Sequence, residues 1–136
     1  YERAARGPDG RAFPWGDDPP DTMLVNRGAD TCCGGDDRDG YAMTAPVDSF
    51  AAGASLDGIL NLVGNVWEWT RDPYARYDGT PDPQNDGTYR VLRGGAWNSD
   101  PAHLTTTYRL AYDPDFRFAA NGGFRCVRSS SASAAH

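Results

Sequence analysis

Glycine and proline punctuate this chain so densely that a fold built on long helices has nowhere to form: 16 glycines and 10 prolines fall among 136 residues. In a helix interior glycine costs about 1 kcal/mol and proline about 3 kcal/mol relative to alanine. Much of the backbone must therefore run in turns and irregular segments. The length suits one domain with a real core. What remains for regular structure is short strands tied by long loops, with one helix near the start. Loops of that length either carry function or need something to pin them, and a bound cation is one such pin.

Residues 1–7, YERAARG, read as the end of a helix, with Ala4 and Ala5 as good formers and Gly7 as the terminating residue. Residues 8–20 read as consecutive turns around Phe13, Pro14 and Trp15, with Trp15 in the core. An acidic, glycine-bearing loop over 30–46 leads into VDSF at 47–50, which alternates like a short strand. Strands are also expected in YRVLRGGAW (89–97) and GGFRCVR (122–128). The small, polar tail SSSASAAH at 129–136 is expected to be disordered.

The stretch NLVGNVWEWT, residues 61–70, poses the sharpest question, because it sets Glu68 between Trp67 and Trp69. In an extended run side chains alternate, so the two tryptophans share one face while Val66 and Glu68 share the other. A buried carboxylate is costly unless water, an arginine or a metal compensates it. The residues alone leave all three open.

Composition narrows the partners. A net charge of −6 and a pI near 4.7 argue against nucleic acid or an anionic membrane, both of which call for clustered basic residues. No apolar run approaches the roughly 20 residues that span a bilayer. Three cysteines, Cys32, Cys33 and Cys126, match neither an even disulfide framework nor zinc-site spacing and read as free or semi-buried thiols. The Asp, Asn, Gly and Trp content leans slightly towards an extracytoplasmic origin.

Six fragments in fixed order, YERAARG, FPWGD, APVDSF, GNVWEWTRD, RVLRGGAW and GGFRCVR, together resemble the formylglycine-generating-enzyme family, also called the sulfatase-modifying-factor domain. The resemblance runs over residues 1–128. It implies an α+β, C-type-lectin-like fold that is irregular, loop-rich and built on short antiparallel strands. Because Tyr1 falls inside the first fragment, the chain is expected to be the C-terminal portion of such a domain, lacking its N-terminal part. In family members the closing cysteine often pairs with one in that earlier portion, which would leave Cys126 unpaired.

What the resemblance implies about chemistry is uneven. Active members carry a serine after the paired glycines and two cysteines spaced around four residues, whose thiolates bind copper(I). Those positions are Ala96, Ser99 and Leu104 here, so a copper(I) thiolate site cannot be built from them. His103 lies beside the last of them and reads as solvated surface. The sulfoxide synthases of the family take their iron ligands largely from another domain. The family's binding proteins present the loop between Trp97 and Gly123 to a peptide or protein ligand. Here that loop carries Tyr108, Tyr112, Phe116 and Phe118 beside Arg109 and Arg117, a composition that suits contact surfaces. About half of these rings are equally expected in the core.

The calcium positions, in contrast, keep their oxygen donors. The resemblance assigns one ion to the side chains of Asn26 and Asp39 and the carbonyls of Arg27 and Tyr41. It assigns a second to the side chains of Asn61 and Glu68 and the carbonyls of Gly64 and Val66, with no arginine partner for Glu68. Asp36 and Asp37 read as solvated. An EF-hand fails in this loop, since placing Gly40 at its sixth position puts Pro46 where a bidentate glutamate is required. The expected function is a calcium-stabilised, non-oxidase binding or interaction module, part of a larger protein or complex. The alternative is an enzyme of the same family, of oxidase or sulfoxide-synthase type, whose catalytic residues lie in a missing half or partner chain.

Overall fold

A computed structural model describes residues 1–30, 33–80, 82, 85 and 87–128. The tail at 129–136 and Cys32, for which the sequence carries expectations, lie outside the described residues. Among the described residues the longest helix, α1 (Glu2–Arg6), has five residues. It ends where expected: Gly7 takes a φ of 62° and its N–H returns to Arg3 O, a backbone conformation that glycine adopts without strain. Short 3₁₀ turns follow at Ala51–Gly53 and Pro101–Leu104.

One four-stranded sheet organises the rest, in the order β3-β2-β1-β4. Its strands are β1 (Trp67–Pro73), β2 (Arg90–Arg93), β3 (Leu110–Tyr112) and β4 (Gly122–Gly123). The β1–β2 and β2–β3 pairs are antiparallel, as expected, whereas β4 joins β1 in parallel. Two expected strands are shorter than the sequence implies. Residues 89–97 stop at Arg93 because Gly94 and Gly95 take φ of 93° and 73°, and residues 122–128 keep only two residues in the ladder. The expected strand at 47–50 is absent: Ser49 N–H closes a turn onto Pro46 O, and Phe50 sits in the left-handed region at φ 59°.

Two apolar clusters form the core. Val25, Val63 and Leu104 pack with Phe13 and Trp15, the latter two stacked at 5.2 Å. Trp67, Leu92 and Ala96 pack with Trp69, Tyr108, Leu110, Tyr112 and Phe118. Strand alternation thus puts both tryptophans of β1 on the core side and leaves Glu68 facing the other way. Arg93, buried on β2, ties three regions together by donating to the carbonyls of Thr106, Thr107 and Tyr108 and to Glu2 of α1. Among the described residues no helix is long and apolar enough to cross a membrane.

Candidate cation sites and the loop after Trp97

The first expected set is brought together by Asp39. Its Oδ2 accepts the Arg27 N–H at 3.0 Å and its Oδ1 the Tyr41 N–H at 2.9 Å. The neighbouring Asn26 is fully buried. Its Nδ2 donates to Met43 O at 2.8 Å, which fixes the amide, while Oδ1 is buried without a partner. An orphaned buried acceptor is a costly feature that a cation would relieve. The Arg27 guanidinium is engaged with Gly28 O and Asp30 instead, at 2.9 and 3.0 Å. Among the described residues no arginine or histidine forms an ion pair with Asp39. Asp36 is not simply solvated: Arg38 grips it at 2.8 Å, and that hydrogen bond holds its carboxyl below the ordinary carboxylate range. Asp37 is exposed, as expected.

The second set is also gathered, by a different device. Asn61, Gly64 and Asn65 take φ of 52°, 74° and 62° within five residues, folding the chain sharply ahead of β1. Gly64 has no substitute here, since an added Cβ would meet Asn26 O at 2.3 Å. Asn65 locks the fold by pairing its side chain with both backbone groups of Ala45, at 2.9 and 3.2 Å. Asn61 Nδ2 donates to Val47 O at 2.9 Å while its Oδ1, like that of Asn26, is buried without a partner. A hollow of about 270 Å³ lies beside these residues, lined by Asn61, Asn65, Val66 and Glu68 among others.

Glu68 departs from expectation, for it does have an arginine. Arg125 Nε lies 2.8 and 2.7 Å from its two carboxylate oxygens, and Nη2 donates to Oε1 as well. The same guanidinium reaches Asn61 O at 2.9 Å and Leu60 O at 3.2 Å. The hydrogen bonds it donates to Glu68 raise the Arg125 pKa above its ordinary value. Close by, the Tyr1 hydroxyl is buried without a partner, and burial together with the Glu68 charge pushes its pKa far upward. Among the described residues no three His, Cys, Asp or Glu side chains cluster as a metal site. A cation at either place would draw on amide and backbone oxygens, which are calcium's ligands rather than those of zinc or copper(I).

The three positions matched to copper chemistry are occupied structurally. Ala96 N–H donates to Ser99 Oγ at 3.0 Å, Ser99 is itself buried, and Leu104 is fully buried against Val25 and Val63. His103 is half-buried rather than solvated. Its Nδ1 lies 2.8 Å from Asp100, and its ring meets Tyr108 and Trp67 at 4.8 and 6.1 Å. In the following loop Tyr108, Tyr112 and Phe118 pack on the core, whereas Phe116 is exposed and rests on Tyr112 at 4.6 Å. Arg109 is spent on the faces of Tyr77 and Tyr74, at 3.7 and 5.0 Å. Phe116 and Arg117 are thus the large side chains this loop leaves exposed. Cys33 is disulfide-bonded, against the expectation of a free thiol, and Cys126 is free and exposed.

A family model described as the sulfatase-modifying factor enzyme 1-like domain matches residues 1–130. The chain belongs to this family. Hercynine oxygenase of Mycobacterium tuberculosis is 35% identical over 126 residues, covering 85% of this chain and 26% of the relative. Formylglycine-generating enzyme of Thermomonospora curvata is 35% identical over 151 residues, covering 93% and 46%. The chain spans about a fifth to just under a half of the length of the curated relatives it matches. The structure of Treponema denticola variable protein 1 shares the fold at a TM-score of 0.67 and 24% identity, covering 90% of this chain and 42% of that one. The roles of Arg125 and Arg93 have no local signal in the sequence, whereas the turn at Gly64 and Asn65 does, an asparagine directly after a glycine favouring the left-handed conformation.

Proposed function

We propose that this chain is a calcium-stabilised, non-oxidase binding or interaction module of the sulfatase-modifying-factor family, working within a larger protein or complex. The observation that carries this reading is the use made of the copper positions: a serine hydroxyl accepts a backbone N–H at one, and an aliphatic side chain completes the core at another. Neither supplies the soft thiolate that copper(I) requires. Calcium is the proposed pin for the loops. Asn26 Oδ1, Asp39 and the carbonyls of Arg27 and Tyr41 would hold it, relieving the buried amide oxygen. Phe116 and Arg117 offer the contact surface for a peptide or protein ligand on the loop between Trp97 and Gly123.

The test is direct. The protein incubated with copper(I), oxygen and a cysteine peptide of the sulfatase type should leave the peptide mass unchanged, and formation of formylglycine would end this reading. The second reading is an enzyme whose catalytic residues lie elsewhere in a longer polypeptide, favoured by the 35% identity to a hercynine oxygenase of which this chain spans 26%. Sulfoxide formation by the full-length polypeptide, lost on deleting its other domain, would favour that second reading.

A further inference from the structure

The Glu68 place and the Asp39 place look alike in sequence, and each has an asparagine oxygen left buried without a partner. Their charges differ. Among the described residues Asp39 accepts only backbone N–H groups and forms no ion pair, the nearby arginines Arg27 and Arg38 being paired with Asp30 and Asp36. Glu68 is 7% exposed and meets Arg125 through three hydrogen bonds.

The position of that guanidinium matters as much as its charge. It spans the carboxylate and the carbonyls of Leu60 and Asn61, from the start of the turn that precedes β1. A carboxylate and converging carbonyls are what a hard cation needs, and a planar fork of five donors can satisfy them equally well. On the Asn61 side the hollow is walled by Val47, Leu60, Val66 and Phe124 and offers Glu68 as its one carboxylate among the described lining residues. A divalent ion placed there would face a fixed guanidinium with that single negative charge to share. We infer that Arg125 is the resident cation of the Glu68 place, so that the chain takes one calcium ion, at Asp39, and none at Asn61, Gly64, Val66 and Glu68. The inference rests on the calcium reading for the Asp39 ion alone.

Calorimetric titration of the chelator-treated chain with calcium chloride tests it. The wild-type chain should bind one ion. Glu68→Gln should still bind one, with Kd changed less than twofold, whereas Arg125→Gln, which frees the carboxylate, should bind two. Two ions in the wild type, one of them lost in Glu68→Gln, would overturn the inference, as would an Arg125→Gln protein that gains none. Should Arg125→Gln fail to fold, the Glu68→Gln titration decides alone: loss of an ion overturns the inference, and retention supports it. A wild type that binds none, with one ion gained in Arg125→Gln, would refute calcium at Asp39 while supporting Arg125 as the built-in charge.

Discussion

Two asparagine–carboxylate pairs, Asn26 with Asp39 and Asn61 with Glu68, resolve the same physical problem in opposite ways. At Asn26 and Asp39 the backbone supplies hydrogen bonds but no positive charge, and an amide oxygen is left buried. At Asn61 and Glu68 the chain supplies its own cation, Arg125, from 57 residues away. Like ligand sets therefore do not imply like occupants. What decides is whether the fold itself delivers a compensating charge.

The comparison can be broken most forcefully at Arg125. Arg125→Ala strands a carboxylate that is 7% exposed. Breaking a buried pair typically costs 3–5 kcal/mol, and because the Arg125 side chain keeps 33% of its exposure the loss should be about 3 kcal/mol, readable by urea denaturation. Calcium removal comes next. At a hundredfold excess over Kd, a ligand that binds only the folded state contributes about 2.7 kcal/mol, so a chelator should lower the melting temperature by several degrees. Asn26→Ala should cost about 1–3 kcal/mol through the lost bond to Met43 O, and should weaken the calcium response as well.

How much of this was legible in the sequence depended on how local the cause was. Gly7 ends α1, the two tryptophans of β1 share the core face, and the turn after Gly64 forms, because each follows from a residue and its immediate neighbours. The 47–50 strand failed because a distant side chain intervenes: Asn61 Nδ2 takes Val47 O, and Phe50 turns left-handed. Of water, arginine or metal for Glu68, the structure supplies arginine, and nothing near residue 68 in the sequence announces residue 125. His103 read as surface because its neighbours Trp67 and Tyr108 reach it only through the fold.

Smaller effects separate the two regions by pH. Burial and Glu68 raise the Tyr1 pKa in the folded state. That contribution is complete below the unfolded value of about 10 and is lost as pH rises beyond it. Tyr1→Phe should flatten the alkaline limb of the stability curve. Near the other region, Arg38 lowers the Asp36 pKa, so its contribution is present above the unfolded value of about 3.9 and fades as pH falls through the folded one. Asp36 makes an outer contact, and Asp36→Asn should change neutral-pH stability by less than about 0.5 kcal/mol and leave the calcium response intact.

Thermal melts of three proteins, each with calcium and with chelator, address the central claim most directly. The account predicts that chelation lowers the melting temperature of the wild type and of Glu68→Gln by the same amount, while Asp39→Asn melts at one temperature in both conditions. A shift that survives in Asp39→Asn and vanishes in Glu68→Gln, or a wild type indifferent to the chelator, would contradict it.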